Sequence, residues 1–188
     1  MAEITITKID AAQRQLRMAI RLWFAEADPL CTQVLARHAY QIVHDIHWKV
    51  KKADILLAGM KEEHKGFLRR MLNDPTDFAK HSDRGRVGKL PDIILDTDIT
   101  KGFIIGAIAG LQDMQQDLAY EEHAFNFWHH IHEPELCTDA GQQFFKDHFK
   151  VEVVNVLRAM PKDEFFKRVL NVLRRDRAAH NAPPAVMR

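Results

Sequence analysis

Apolar residues return at helical spacing along nearly the whole chain, and this constrains the fold more than any other feature. Ile9, Leu16, Ile20 and Trp23 recur at about 3.6 residues, and Thr7 stands three residues before Asp10 in the arrangement of a capping box. That spacing predicts a first helix over about 8–26. Asp28-Pro29 then opens a second: aspartate caps the first turn, and proline at the first helical position lacks an N–H that would have no partner there. This helix runs to about 51 with Leu35, Ala39, Ile42 and Ile46 on its buried stripe. A third covers about 61–73, and Asp74-Pro75 restarts a short turn ending near His81.

The stretch 82–97, "SDRGRVGKLPDIILDT", breaks the pattern with two glycines, a proline and a β-branched run. It reads as a long irregular connection, the kind of segment that more often carries function than a short turn does. Helix four begins near Asp98 or Thr100. Its Gly102, Gly106 and Gly110 leave one face bare for close approach by another helix, at about 1 kcal/mol each relative to alanine. The helical pattern continues, with a break near Tyr120, until Pro134. Helix five spans about 139–159 and helix six about 162–177. The expectation is an all-α, single-domain bundle of about six helices over 1–177, with 178–188 a flexible tail.

Length and charge narrow the function classes. The chain has 188 residues and a formal net charge of +1, so its overall charge selects neither nucleic acid nor a membrane surface. Two cysteines, Cys31 and Cys137, fit neither a disulfide framework nor a zinc site and point to a reducing, cytoplasmic setting. The longest apolar run, 102–111, is about half a bilayer span. Charge is uneven along the chain: 102–145 holds seven carboxylates and no Lys or Arg, whereas 158–188 holds eight basic residues against three acidic ones. Segments of opposite sign neutralise one another when they lie close; otherwise the first suits a cation and the second an anion.

Eleven histidines raise the question of metal, but the diagnostic spacings are missing. No Glu-x-x-His and no His-x-x-x-His occurs, so neither the di-iron bundle pattern nor the zincin pattern is met. Asp113, Asp117 and Glu121 fall at i, i+4 and i+8 and read as a solvated acidic stripe. A Gly-x-Ser-x-Gly nucleophile, a Gly-x-Gly-x-x-Gly loop and a P-loop are all lacking, so no cofactor and no metal is expected. Chemistry concentrates elsewhere. Along helix two, Arg37, Tyr40, Gln41, His44 and Trp48 share one side, with Asp45 and His47 beside them. Further on, "DFAKHSDRG" presents Lys80, His81, Asp83 and Arg84 at a helix end, where positive charge is favoured.

These two stretches also carry a resemblance. Tyr40, His44, Asp45, Phe78, Lys80, His81 and Asp83 match the Tyr-x3-His-Asp and Phe-x-Lys-His-x-Asp motifs of a group of small bacterial all-helical proteins with no assigned activity. Gln33 replaces a histidine of that group, Val34 a threonine and Asp77 an asparagine. The Lys-His-x-Asp ending also resembles HEPN domains, helical bundles often found as dimers in RNA-cleaving toxins and defence proteins. Their hallmark is Arg, four to six residues, then His. Arg37 to His44, Arg174 to His180 and Arg175 to His180 have that spacing, and none ends at His81.

Together these observations imply a dimeric binding module for a small anionic ligand or partner. His44 and His81 offer proton transfer, Asp45 and Asp83 orient them, and Arg37, Tyr40, Lys80 and Arg84 bind the ligand. The alternatives are a HEPN-like protein that binds or cleaves RNA, and a metal-binding bundle.

Overall fold

The computed structural model describes residues 3–55 and 95–180, with side chains to 176, and every regular element in them is helical. Among the described residues there are seven α-helices: α1 Lys8–Phe24, α2 Pro29–Lys51, α3 Thr97–Asp113, α4 Tyr120–His132, α5 Asp139–His148, α6 Val151–Arg158 and α7 Lys162–His180, with a 3-10 turn at Pro134–Leu136. The third helix expected near 61–73, the connection at 82–94 and the tail beyond His180 lie outside the described residues. None of the described helices is long and apolar enough to cross a membrane. The chain forms two compact units, Met1–Leu118 and Ala119–Arg188, taken in turn below.

In the first unit α2 is the central helix, packed along both α1 and α3. Its ends are set by local chemistry. Thr7 and Asp10 close the capping box of α1, Thr7 N–H donating to Asp10 Oδ2 at 3.0 Å and Asp10 N–H to Thr7 Oγ1 at 3.1 Å. Asp28 Oδ1 accepts the Cys31 N–H at 2.7 Å at the head of α2. The core interleaves Leu16, Ile20 and Phe24 of α1 with Ala36, Ala39 and Val43 of α2 and Phe103, Ile104, Ala107 and Leu111 of α3. The alanines let α2 approach both neighbours, and each large side chain so buried contributes about 1.5–3 kcal/mol.

Helix ends without glycine account for the boundaries that spacing misplaced. After α1, Glu26 takes a left-handed φ of 49°, and Ala27 N–H donates to Leu22 O while Glu26 N–H donates to Trp23 O. The same pair of bonds ends α3, where Gln115 has φ 57° and Gln116 N–H reaches back to Leu111 O. Both are Schellman closures with a side-chain-bearing residue where glycine usually sits. The break expected near Tyr120 falls between Asp113 and Tyr120, so α3 and α4 are separate helices. Glu121 is then not on one stripe with Asp113 and Asp117: it is 5% exposed in the first turn of α4, where helical N–H groups favour a carboxylate.

In the second unit α4 is central and α7 docks on it, with Ala124, Phe125, Trp128 and Ile131 meeting Phe165 and Leu170 in the core. The helix expected over 139–159 is two helices. Phe149 leaves helical geometry at φ −124°, ψ 126°, and its ring stacks on Phe145 at 4.9 Å and meets Phe127 at 5.1 Å. Aromatic packing of this kind outweighs one residue of helix continuity, which is weakly supported next to the valine-rich start of α6. α7 continues past 177 to His180.

Candidate functional site

The polar and aromatic side of α2 forms a continuous ladder. The Arg37 guanidinium lies over the rings of Tyr40 and Phe103, 5.6 and 5.3 Å from their centroids. Tyr40, only 5% exposed, is 5.6 Å from the His44 ring, and His44 stacks on Trp48 at 6.4 Å and 19°. Arg37 and His44 are thus separated by the Tyr40 ring. Trp48 is 48% exposed at the open end of the ladder.

At that end lies a half-open cavity of about 440 Å³ lined by Lys8, His44, Asp45, Trp48, Lys49 and Asp54 together with Ile42 and Ile46. That volume lies within the usual range for small-molecule sites, about 300–1,000 Å³. His44 has a carboxylate near each ring nitrogen: Asp45 Oδ1 is 3.5 Å from Nδ1 and Asp54 Oδ2 is 3.4 Å from Nε2. Asp45 Oδ1 also accepts the Gln41 amide at 2.6 Å. The two carboxylates are therefore engaged, whereas Lys8 and Lys49 have no carboxylate partner among the described residues. An anion entering this cavity meets two ammonium groups and a solvent-facing indole, beside a histidine whose two ring nitrogens face Asp45 and Asp54.

His47 points elsewhere. It is buried, with Nδ1 3.1 Å from Ala53 O and Nε2 2.8 Å from Asp113 Oδ2, so it ties the end of α2 to the end of α3. This clasp positions the turn that carries Asp54. His81, Asp83, Lys80 and Arg84 lie outside the described residues, as does any approach of His81 to His44. Of the α2 residues that spacing singled out, His44, Asp45 and Trp48 line the cavity and Arg37 and Tyr40 do not, and spacing gave no sign of Lys8, Lys49 or Asp54. Lys8 and Asp54 reach the site through tertiary structure: antiparallel packing sets the start of α1 against the end of α2, and the His47 clasp turns the chain back.

Among the described residues no group of three or more His, Cys, Asp or Glu side chains is placed to hold a metal ion. Both thiols are shifted away from the reactive thiolate: the Asp28 contact pushes the Cys31 pKa up, and burial, then Glu135 and Glu133, push up that of Cys137.

In the second unit, His132 stacks on Trp128 at 4.4 Å and 14°, with a buried Nε2 that has no hydrogen-bond partner among the described residues. Burial, then the nearby Arg158 charge, hold its pKa below the ordinary 6.5. Between the folded and unfolded values the unfolded chain binds more protons, so stability rises with pH across that window and the penalty is fully present below it. Replacing His132 with Phe keeps the stack and removes the titration. The stability difference, variant minus wild type, is expected to grow as pH falls from about 7 to about 5, measured by urea denaturation at each pH. A difference independent of pH contradicts that assignment.

Set against protein-family models, curated proteins and solved structures, the chain matches none.

Proposed function

We propose that this protein is a helical binding module whose α2 cavity takes a small anionic ligand, with phosphate-bearing compounds the best fit. The observation that carries the reading is the pairing pattern at the cavity. Asp45 and Asp54 are turned toward His44 and Gln41, and Lys8 and Lys49 make no ion pair with a carboxylate among the described residues, so both ammonium groups are available to an incoming anion. Trp48 adds an exposed ring on which a planar group can stack. Lys8 and Lys49 donate to the phosphoryl oxygens of the bound anion, while His44, with Asp45 and Asp54 at its two ring nitrogens, keeps those carboxylates turned toward itself. Charge-assisted hydrogen bonds of this kind are each worth about 1.5–3 kcal/mol.

The test is titration of the purified chain with inorganic phosphate and with adenosine monophosphate by calorimetry. Both bind, the nucleotide more tightly, and the double substitution Lys8→Gln/Lys49→Gln weakens each by roughly tenfold or more. His44→Ala weakens them further. Unchanged affinity in the lysine double variant sinks the reading. Incubation with mixed RNA separates the ribonuclease alternative: cleavage by the wild-type chain that His44→Ala abolishes favours an RNA-cleaving enzyme over a binding module.

A further inference from the structure

The second unit holds its own cavity, and none of the residues lining the α2 cavity lines it. It is a half-open pocket of about 300 Å³ between α4, α5, α6 and the 3-10 turn. Its walls are apolar: Phe145, Phe149, Val151, Val154 and Pro134. The His130 ring extends them, lying parallel to Phe145 at 5.0 Å and 7°, with Nδ1 satisfied by Asn126 O at 2.8 Å. Neither α5 nor α6 buries any residue fully, so the described residues cover these faces only in part.

The charge of the lining is one-sided. Lys146 and Arg158 contribute to it, and no Asp or Glu does. Arg158 donates from Nε and Nη2 to the Ile131 carbonyl at 3.0 and 2.8 Å, which fixes the guanidinium and gives it no carboxylate partner among the described residues. The same charge is one cause of the lowered His132 pKa. Lys146 has no carboxylate partner among the described residues. A purely apolar occupant leaves both cations uncompensated, and a cationic one is repelled. At ~30 Å³ per water-sized group the space holds only about ten such groups, so the occupant is small.

We infer that this cavity is a binding site for a small apolar carboxylate. Its hydrocarbon or aromatic body lodges among Phe145, Phe149, Val151 and Val154, and its anionic end is held by Lys146 and Arg158. Apolar burial supplies affinity and the two cations set the orientation and the sign of charge accepted.

The test is calorimetric titration of the full chain with octanoate, octanol and octylammonium. Octanoate binds, octanol at least about tenfold more weakly, and octylammonium more weakly still. From butanoate to octanoate affinity rises roughly fourfold per methylene. Lys146 is exposed, so Lys146→Glu leaves the circular dichroism spectrum unchanged and lowers octanoate affinity about tenfold or more. The Lys8→Gln/Lys49→Gln variant binds octanoate as the wild type does, which separates this site from the α2 cavity. Octanol or octylammonium binding as tightly as octanoate, no octanoate binding by the folded chain, or unchanged affinity in Lys146→Glu would overturn the assignment.

Discussion

Replacing Phe103 with Ala is expected to destabilise the chain by about 3–5 kcal/mol, lowering the melting temperature by roughly 10 °C or more. Phe103 is 0% exposed in the α3 face that packs on α2. Its ring is 5.6 Å from Tyr40 and carries the Arg37 guanidinium at 5.3 Å, so its removal opens a void under two residues of the α2 ladder at once. The loss therefore has two parts: buried apolar area, and the support that keeps Tyr40 against His44. Phe103→Leu retains most of the volume and is expected to cost about 1–1.5 kcal/mol. Urea denaturation followed by circular dichroism measures both. A Phe103→Ala cost below about 1 kcal/mol contradicts the core placement of this ring.

The second large effect concerns Gly110. A Cβ built there meets Val43 Cγ1 and Ile55 Cδ1, each at 2.6 Å, closer than carbon atoms approach. Ile55 Cδ1 is the end of a flexible side chain and can swing away. Val43 is β-branched, fully buried and set in a helix, so its methyl has no free rotamer to adopt. Gly110→Val is expected to destabilise by about 2–3 kcal/mol, despite the gain in helix propensity. Gly102, on the same helix, is the control: nothing lies within 4 Å of its added Cβ. Gly102→Ala is expected to stabilise by up to about 1 kcal/mol, so the two substitutions have opposite signs in one denaturation series. Equal effects would show that α2 and α3 do not approach at Gly110.

What was legible in the sequence was local. The Thr7–Asp10 box and the Asp28-Pro29 start are read from adjacent residues because their chemistry is completed within one turn. The all-helical class followed from the apolar period, and Gly106 and Gly110 are buried as the bare face required, although Gly102 is exposed. Helix ends were less legible. Glu26 and Gln115 adopt left-handed backbone without the glycine that would have marked them, because the Schellman bonds offset a cost near 1 kcal/mol. The break at Phe149 depends on a ring cluster assembled from α4, α5 and the chain after it.

The same division holds at the site. His44 and Asp45 are neighbours in sequence, and Tyr40 and Trp48 share their helix face, so spacing reveals them. The residues that give the cavity its sign of charge come partly from elsewhere. Lys8 opens α1, and Asp54 lies beyond the end of α2 on the turn that the His47 clasp holds. Their convergence depends on packing, and no spacing rule along one helix can find it. Glu121 is the converse: its spacing suggested solvent, but the break after α3 placed it in the first turn of a new helix, buried.

The α2 cavity is tested most directly by following the three indole N–H signals in a nitrogen-15 correlation spectrum during titration with adenosine monophosphate. Trp48 lines the cavity and is 48% exposed, Trp128 is 7% exposed in the core of the second unit, and Trp23 belongs to α1 outside the cavity lining. The account predicts a saturating shift of the Trp48 signal alone, lost in the Lys8→Gln/Lys49→Gln variant. A Trp48 signal that stays in place while the nucleotide binds, or a shift confined to Trp23 or Trp128, would contradict it.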